Sequence, residues 1–214
     1  PVRTGRPRMM ADKVRVGVLI SGRGSNMQAL AEYKRIADPA YELVLVASNV
    51  PEARGLLLAR RFGIKTWAMS HVGRDRAEFD RLVSAELGRH RVEVVALAGY
   101  MRLLSPEFIR AWEGRILNIH PSLLPAFKGL DTHRRALLAG EDHAGCSVHV
   151  VTEELDDGPV IAQSKVKIRG RDTPESLAAR VLQEEHRIYP EALDNFCRAL
   201  RQPDQPTISS ALKK

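Results

Sequence analysis

Asn118 and His120 stand two residues apart in Arg115-Ile-Leu-Asn-Ile-His120, directly before the proline-punctuated stretch Pro121–Phe127. In an extended strand, residues two apart share a face, so these polar side chains project together while Leu117 and Ile119 point the other way. A histidine ordinarily titrates near about pH 6.5 and can carry protons under neutral conditions. A lone histidine in such a strand is more often a satisfied core residue. One that shares its face with an asparagine at the mouth of a loop points towards catalysis, since two such groups are costly there without partners. A second candidate is Ser21-Gly-Arg-Gly-Ser-Asn26, where a β-branched run meets helical spacing. Glycines before a helix N-terminus expose amide hydrogens and a positive dipole end, which suits a phosphate. The spacing is neither GxGxxG nor a Walker loop, so a monophosphate fits better than a dinucleotide or a nucleoside triphosphate. A plain tight turn capped by Ser25 or Asn26 would use the same residues.

The third candidate is the acidic stretch Glu153-Glu-Leu-Asp-Asp-Gly-Pro159. Glu153 and Glu154 read as a solvated loop. Asp156 and Asp157 precede a glycine, where turn chemistry alone favours aspartate. Nothing in the spacing joins them to His120. The seven histidines include pairs such as His143 and His149 but lack zinc-site spacing, so no metal is expected.

The elements that must position these groups alternate along the chain. Val14–Ile20 reads as a buried strand, followed by helical spacing from Asn26 to Ile36, a strand at Leu43–Val46, and a helix from Ala53 to Phe62 ended by Gly63. A short strand near Lys65–Ala68, a helix over Arg74–Arg89, a strand at Val94–Ala98 and a short helix after Ser105-Pro106 lead to the strand ending at His120. Strands separated by helices predict an α/β fold with an open, mostly parallel, doubly wound sheet. After a helix near Thr132–Ala139 the rhythm changes. Cys146–Thr152 and Val160–Ile168 alternate as strands of an antiparallel hairpin, and Thr173-Pro174-Glu175 opens a long helix to about Leu200, with an interruption expected near Pro190.

The chain has 214 residues and a formal charge of +7, from 33 basic and 26 acidic side chains. Residues 1–13 hold +3 of it and residues 200–214 hold +2, so the charge sits mainly in two polar tails expected to be mobile. That placement argues against a nucleic-acid partner. One domain over residues 14–200 is expected at this length. No apolar run reaches the roughly 18 residues of a membrane span, and Cys146 and Cys197 read as free thiols of a cytoplasmic protein. Leu124-Pro125 is a candidate cis bond at the site.

Ile20-Ser-Gly-Arg-Gly-Ser-Asn26, Leu97-Ala-Gly-Tyr-Met-Arg-Leu-Leu-Ser-Pro106, Asn118-Ile-His-Pro-Ser-Leu-Leu-Pro125, Lys128-Gly-Leu-Asp-Thr-His133 and Glu154-Leu-Asp-Asp-Gly-Pro159 occur in this order. From about Val14 to Leu200 the chain resembles the folate-dependent formyltransferase family, and within it the glycinamide ribonucleotide formyltransferases of purine synthesis. The resemblance implies a Rossmann-like fold and transfer of a formyl group from 10-formyltetrahydrofolate, as co-substrate, to the amine of the ribonucleotide. It implies a catalytic group of Asn118, His120 and Asp156. Asn118 would donate to the oxyanion, His120 would handle the proton, and Asp156 would stabilise the imidazolium or order a relaying water. Gly24, Ser25, Asn26 and Met27 would hold the substrate phosphate, and Glu185 its ribose or amine end. Arg76, Met101, Arg102, Leu103, Leu104, Asn118, Thr152 and Asp156 would line the folate site. Leu182 departs from relatives that place a polar or basic residue there. The related methionyl-tRNA enzyme carries an extra C-terminal domain, and formyltetrahydrofolate hydrolase an N-terminal one, so the length favours the glycinamide enzyme. The hydrolase and a non-catalytic mononucleotide-binding module are the alternatives. The resemblance implies only small-molecule substrates, no membrane partner, and a monomer or homodimer.

Overall fold

The computed structural model describes residues 13–202. Of the two expected tails, only Lys13, Arg201 and Gln202 fall within that range. Among the described residues, seven strands form one sheet: β1 (Val14–Ile20), β2 (Tyr41–Ser48), β3 (Lys65–Ala68), β4 (Val94–Leu97), β5 (Ile116–His120), β6 (His143–Val150) and β7 (Val160–Lys167). Their spatial order is β3-β2-β1-β4-β5-β6-β7. The first five are parallel, while β6 runs antiparallel to β5 and β7 antiparallel to β6. The expected doubly wound sheet with a terminal hairpin is therefore observed. Strand order reverses beside β1, which opens a crevice between the C-terminal ends of β1 and β4, where ligands of such sheets bind.

Two apolar layers cover the sheet. On one face α1 (Ser25–Glu32), α2 (Arg54–Arg61) and α6 (Pro174–Leu200) bury Met27, Leu30, Leu56, Leu177, Tyr189 and Leu193 against Val18, Leu117 and Val148. On the other, α3 (Arg76–Arg89), α4 (Pro106–Ala111) and its C-cap Trp112 bury Phe79, Val83, Leu87, Phe108 and the Trp112 indole against Leu19, Leu45 and Ile116. Leu117 and Ile119 belong to the first layer and Ile116 to the second, so β5 carries Asn118 and His120 on the α3/α4 face. The remaining one of the six α-helices among the described residues, α5 (Thr132–Leu138), follows the proline-rich loop.

Three expectations need correction. The helix expected over Asn26–Ile36 is α1 followed by a 3-10 turn at Tyr33–Arg35. Its N-cap is Gly24 in the left-handed region, with no side-chain cap from Ser25 or Asn26. The terminal helix runs unbroken through Pro190. Proline there removes one backbone donor, at a cost of about 3 kcal/mol in a free helix. Tyr189, Pro190 and Leu193 are all buried, and that packing outweighs the loss.

Candidate active site

The phosphate-type loop is built by a close approach of two backbones. Gly24 has φ of 78°, and a Cβ placed there would lie 2.7 Å from Cα of Gly55 in α2. The Gly55 amide donates to the Gly22 carbonyl at 3.0 Å, which pins the loop to the start of α2. Only Gln28 begins the helical ladder, donating to the Gly24 carbonyl, so the amides of Ser25, Asn26 and Met27 remain as first-turn donors. The Met27 side chain is fully buried in the core, leaving its backbone for any ligand. Asn26 is buried and donates through Nδ2 to Oε2 of Glu185 at 2.7 Å, across from α6. Burial pushes the Glu185 carboxyl up, and the Asn26 bond pulls it back. Leu182, one turn earlier on α6, is half-buried.

Ser21 ties this loop to the next one. Its amide donates to the Gly99 carbonyl at 3.0 Å, and its hydroxyl accepts from the Met101 amide at 2.8 Å and donates to Asn49 Oδ1 at 2.6 Å. Met101 and Leu103 stand 70% and 54% exposed, whereas Leu104 is buried in the second layer. Exposed apolar groups at a loop mouth suit a flat aromatic ligand better than water. The Arg102 guanidinium carbon lies 5.1 Å from the centroid of Phe79 in α3. Arg76 is exposed at the start of the same helix, just after its N-cap Asp75.

The third group converges on β5. Asn118 lies directly opposite His149 in the antiparallel β5–β6 register. The Val150 carbonyl accepts from His149 Nδ1 at 3.2 Å, leaving Nε2 to accept from Asn118 Nδ2 at 3.1 Å. Burial lowers the His149 pKa, consistent with this neutral tautomer. His120 donates through Nε2 to the Phe127 carbonyl at 3.0 Å, and its Nδ1 lies 3.4 Å from Oδ2 of Asp156. When the ring is charged, both of its N–H groups therefore face acceptors. The other Asp156 oxygen lies 3.6 Å from His149 Nε2.

Asp156 gets there because the β6–β7 loop folds back over the sheet. It is buried, adopts a left-handed φ of 50°, and accepts from the Gly129 amide at 2.9 Å. Neighbouring Asp157 pairs with Lys128, so two consecutive aspartates clamp the Lys128-Gly129 turn. Thr152, at the start of that loop, donates to the Glu154 carbonyl at 3.3 Å. The Phe127 carbonyl is fixed in turn by the proline-rich loop. Leu124-Pro125 is cis, and buried Ser147 accepts from the Leu124 amide while donating to the Ser122 carbonyl.

Asp156 thus meets His120, His149 links Asn118 to the same group, the first loop meets Glu185, and the charges of Arg102 and Arg76 pull down the carboxyl of buried Asp80. His149 is the functional neighbour that the sequence reading did not single out. Its signal was the period-2 pattern of β6, which puts Ser147 and His149 on one face and Cys146, Val148 and Val150 on the other. Among the described residues no three His, Cys, Asp or Glu side chains are grouped to hold a metal ion. No helix among them is long and apolar enough to cross a membrane.

The strand order, the glycine loop and the Asn-x-His strand with its folded-back aspartate define a class, and the matching family model, formyl transferase, covers residues 14–193. The chain belongs to the formyl transferase family. It is 46% identical over 180 residues to phosphoribosylglycinamide formyltransferase of Escherichia coli (strain K12), spanning 84% of this chain and 85% of that one. It is also 46% identical over 187 residues to the trifunctional purine biosynthetic protein adenosine-3 of Gallus gallus, across 87% of this chain but 19% of that protein. The chain therefore spans about a fifth of the length of that relative. A solved structure of glycinamide ribonucleotide transformylase 1 from Symbiobacterium toebii superposes with a TM-score of 0.86 at 42% identity, covering 92% of this chain and 93% of that one.

Proposed function

We propose that this chain is a phosphoribosylglycinamide formyltransferase. It moves the formyl group of 10-formyltetrahydrofolate to the primary amine of the glycinamide ribonucleotide, yielding the formylated ribonucleotide and tetrahydrofolate. The observation that carries this reading is the meeting of Asp156 with His120, beside Asn118, at the edge where the loop 21–26 offers a phosphate site.

The roles follow from the hydrogen-bond inventory. Amine attack on the formyl carbon develops an oxyanion. One hydrogen of Asn118 Nδ2 is engaged by His149, leaving its second for that oxygen. A single donor of this kind is worth about 10²–10³ in rate. His120 carries the proton that the attacking amine sheds to the folate nitrogen as the bond between that nitrogen and the formyl carbon breaks, and Asp156 compensates the charge that the ring holds in between. The first-turn amides of Ser25, Asn26 and Met27 hold the ribonucleotide phosphate, with Glu185 on the ribose or amine side. Met101 and Leu103, with Arg76, Arg102 and Thr152, line the folate side, while buried Leu104 ties that loop to the core rather than presenting its side chain. The partners are these two small molecules.

The test is a spectroscopic transfer assay with 10-formyltetrahydrofolate, run with and without glycinamide ribonucleotide. Tetrahydrofolate formation that requires the ribonucleotide is the expected result. Formate release without the acceptor would instead identify a hydrolase, and tight mononucleotide binding without turnover a binding module.

A further inference from the structure

Asp80 is the most deeply buried carboxylate outside the groups already placed. It lies on α3 between Phe79 and Val83, 1% exposed. Oδ2 accepts from the Ser105 amide at 2.6 Å, and the Ser105 hydroxyl in turn caps α4 by accepting from Phe108. Asp80 thereby anchors the far end of the loop that runs from Tyr100 to Leu104. Its other oxygen, Oδ1, hydrogen-bonds to nothing among the described residues. The same holds for two further buried atoms in that loop, Arg102 Nε and the Tyr100 hydroxyl.

A buried carboxylate is costly unless charges and donors surround it. Here the surrounding charges are Arg102 and Arg76. Burial pushes the Asp80 carboxyl up, while the Ser105 bonds and the two guanidinium groups pull it down. Arg102 also rests over the ring of Phe79, the residue adjacent to Asp80, so one turn of α3 supports it by both a π face and a charge. A helix that only needed to pack would place an apolar residue at this position, as it does at Phe79, Val83 and Leu87.

We propose that Asp80 is a positioning residue: it fixes the 100–105 loop to α3 and aims the Arg102 guanidinium at the folate co-substrate. The proposal rests on the folate-side placement of that loop. Asp80→Asn separates the two elements of the role, because the amide oxygen can still accept from Ser105 while the charge facing Arg102 is lost. KM for 10-formyltetrahydrofolate should rise about tenfold, with kcat and the ribonucleotide KM within about twofold of the parent. The Asp80→Asn/Arg102→Ala double variant should be no worse than Arg102→Ala alone, since Asp80 acts through Arg102. A purely structural role would instead give additive losses or shift both KM values, and would overturn the proposal. If Arg102→Ala raises the folate KM and Asp80→Asn does not, Asp80 loses its role while the folate placement survives. If neither moves it, the placement fails and takes the proposal with it. Thermal melts establish that each variant is folded, and Asp80→Ser, which also removes the charge, replaces Asp80→Asn should that variant fail to fold.

Discussion

Replacing Asp156 by Asn isolates the charge at the centre of the site. Asparagine tolerates the left-handed backbone observed there, and its carbonyl oxygen can keep the bond from the Gly129 amide. What disappears is a negative charge 3.4 Å from His120 Nδ1, between side chains that are 7% and 8% exposed. At an effective dielectric of about 20, a unit charge pair at that distance is worth about 5 kcal/mol. Part of it is recovered as the surroundings adjust, so the expected loss in kcat is roughly 10³-fold, inside the roughly 10²–10⁴ range for general acid–base groups. Both KM values should stay within about threefold, because the charge matters chiefly when the ring is cationic during proton transfer. The assay follows tetrahydrofolate formation at saturating ribonucleotide, with a thermal melt to show that the β6–β7 loop remains in place. Turnover within about threefold of the parent would remove Asp156 from the mechanism.

Two further outcomes follow from burial and backbone geometry. Gly24→Ala forces a Cβ to 2.7 Å from Gly55 at a positive φ, so the ribonucleotide KM should rise roughly tenfold or more and stability fall by about 1–3 kcal/mol. An unchanged ribonucleotide KM, or a rise in the folate KM alone, would mean that the two loops are assigned the wrong way round. Burial lowers the pKa of His149, His133 and His186. The unfolded chain then binds more protons than the folded one as pH falls below about 6.5, so stability is full above that pH and declines beneath it. The urea midpoint should therefore drop between about pH 7.5 and 5.5; the raised carboxyls Asp80 and Glu185 act with the opposite sign, so Asp80→Asn should steepen the drop. A flat midpoint would contradict it.

How much of this could be read beforehand depended on whether the signal was local. The face shared by Asn118 and His120 follows from period-2 alternation, and the strand carries it as expected, with Leu117 and Ile119 in the opposite layer. The Gly63 helix stop and the Thr173 cap are likewise local, and both are present. The approach of Asp156 to His120 spans 36 residues and depends on a loop folding back over the sheet, which no periodicity encodes. His149 was hidden for a similar reason, because its meaning comes from lying opposite Asn118 across strands. At Pro190 the local rule pointed to a break, and tertiary burial overrode it.

The reversal of direction at β6 has a consequence for how this protein can fail. Asn118 and His149 face one another only because Asn118 pairs with His149 and His120 with Ser147, a register shared by the Cys146–Val148–Val150 stripe on the other face. A slip of one residue would turn the histidine into the apolar layer and the valines out of it. The alignment that assembles the reactive group is the same one that seals the interior. Misregistered chains should therefore be lost as unfolded protein rather than persist as folded, inactive molecules.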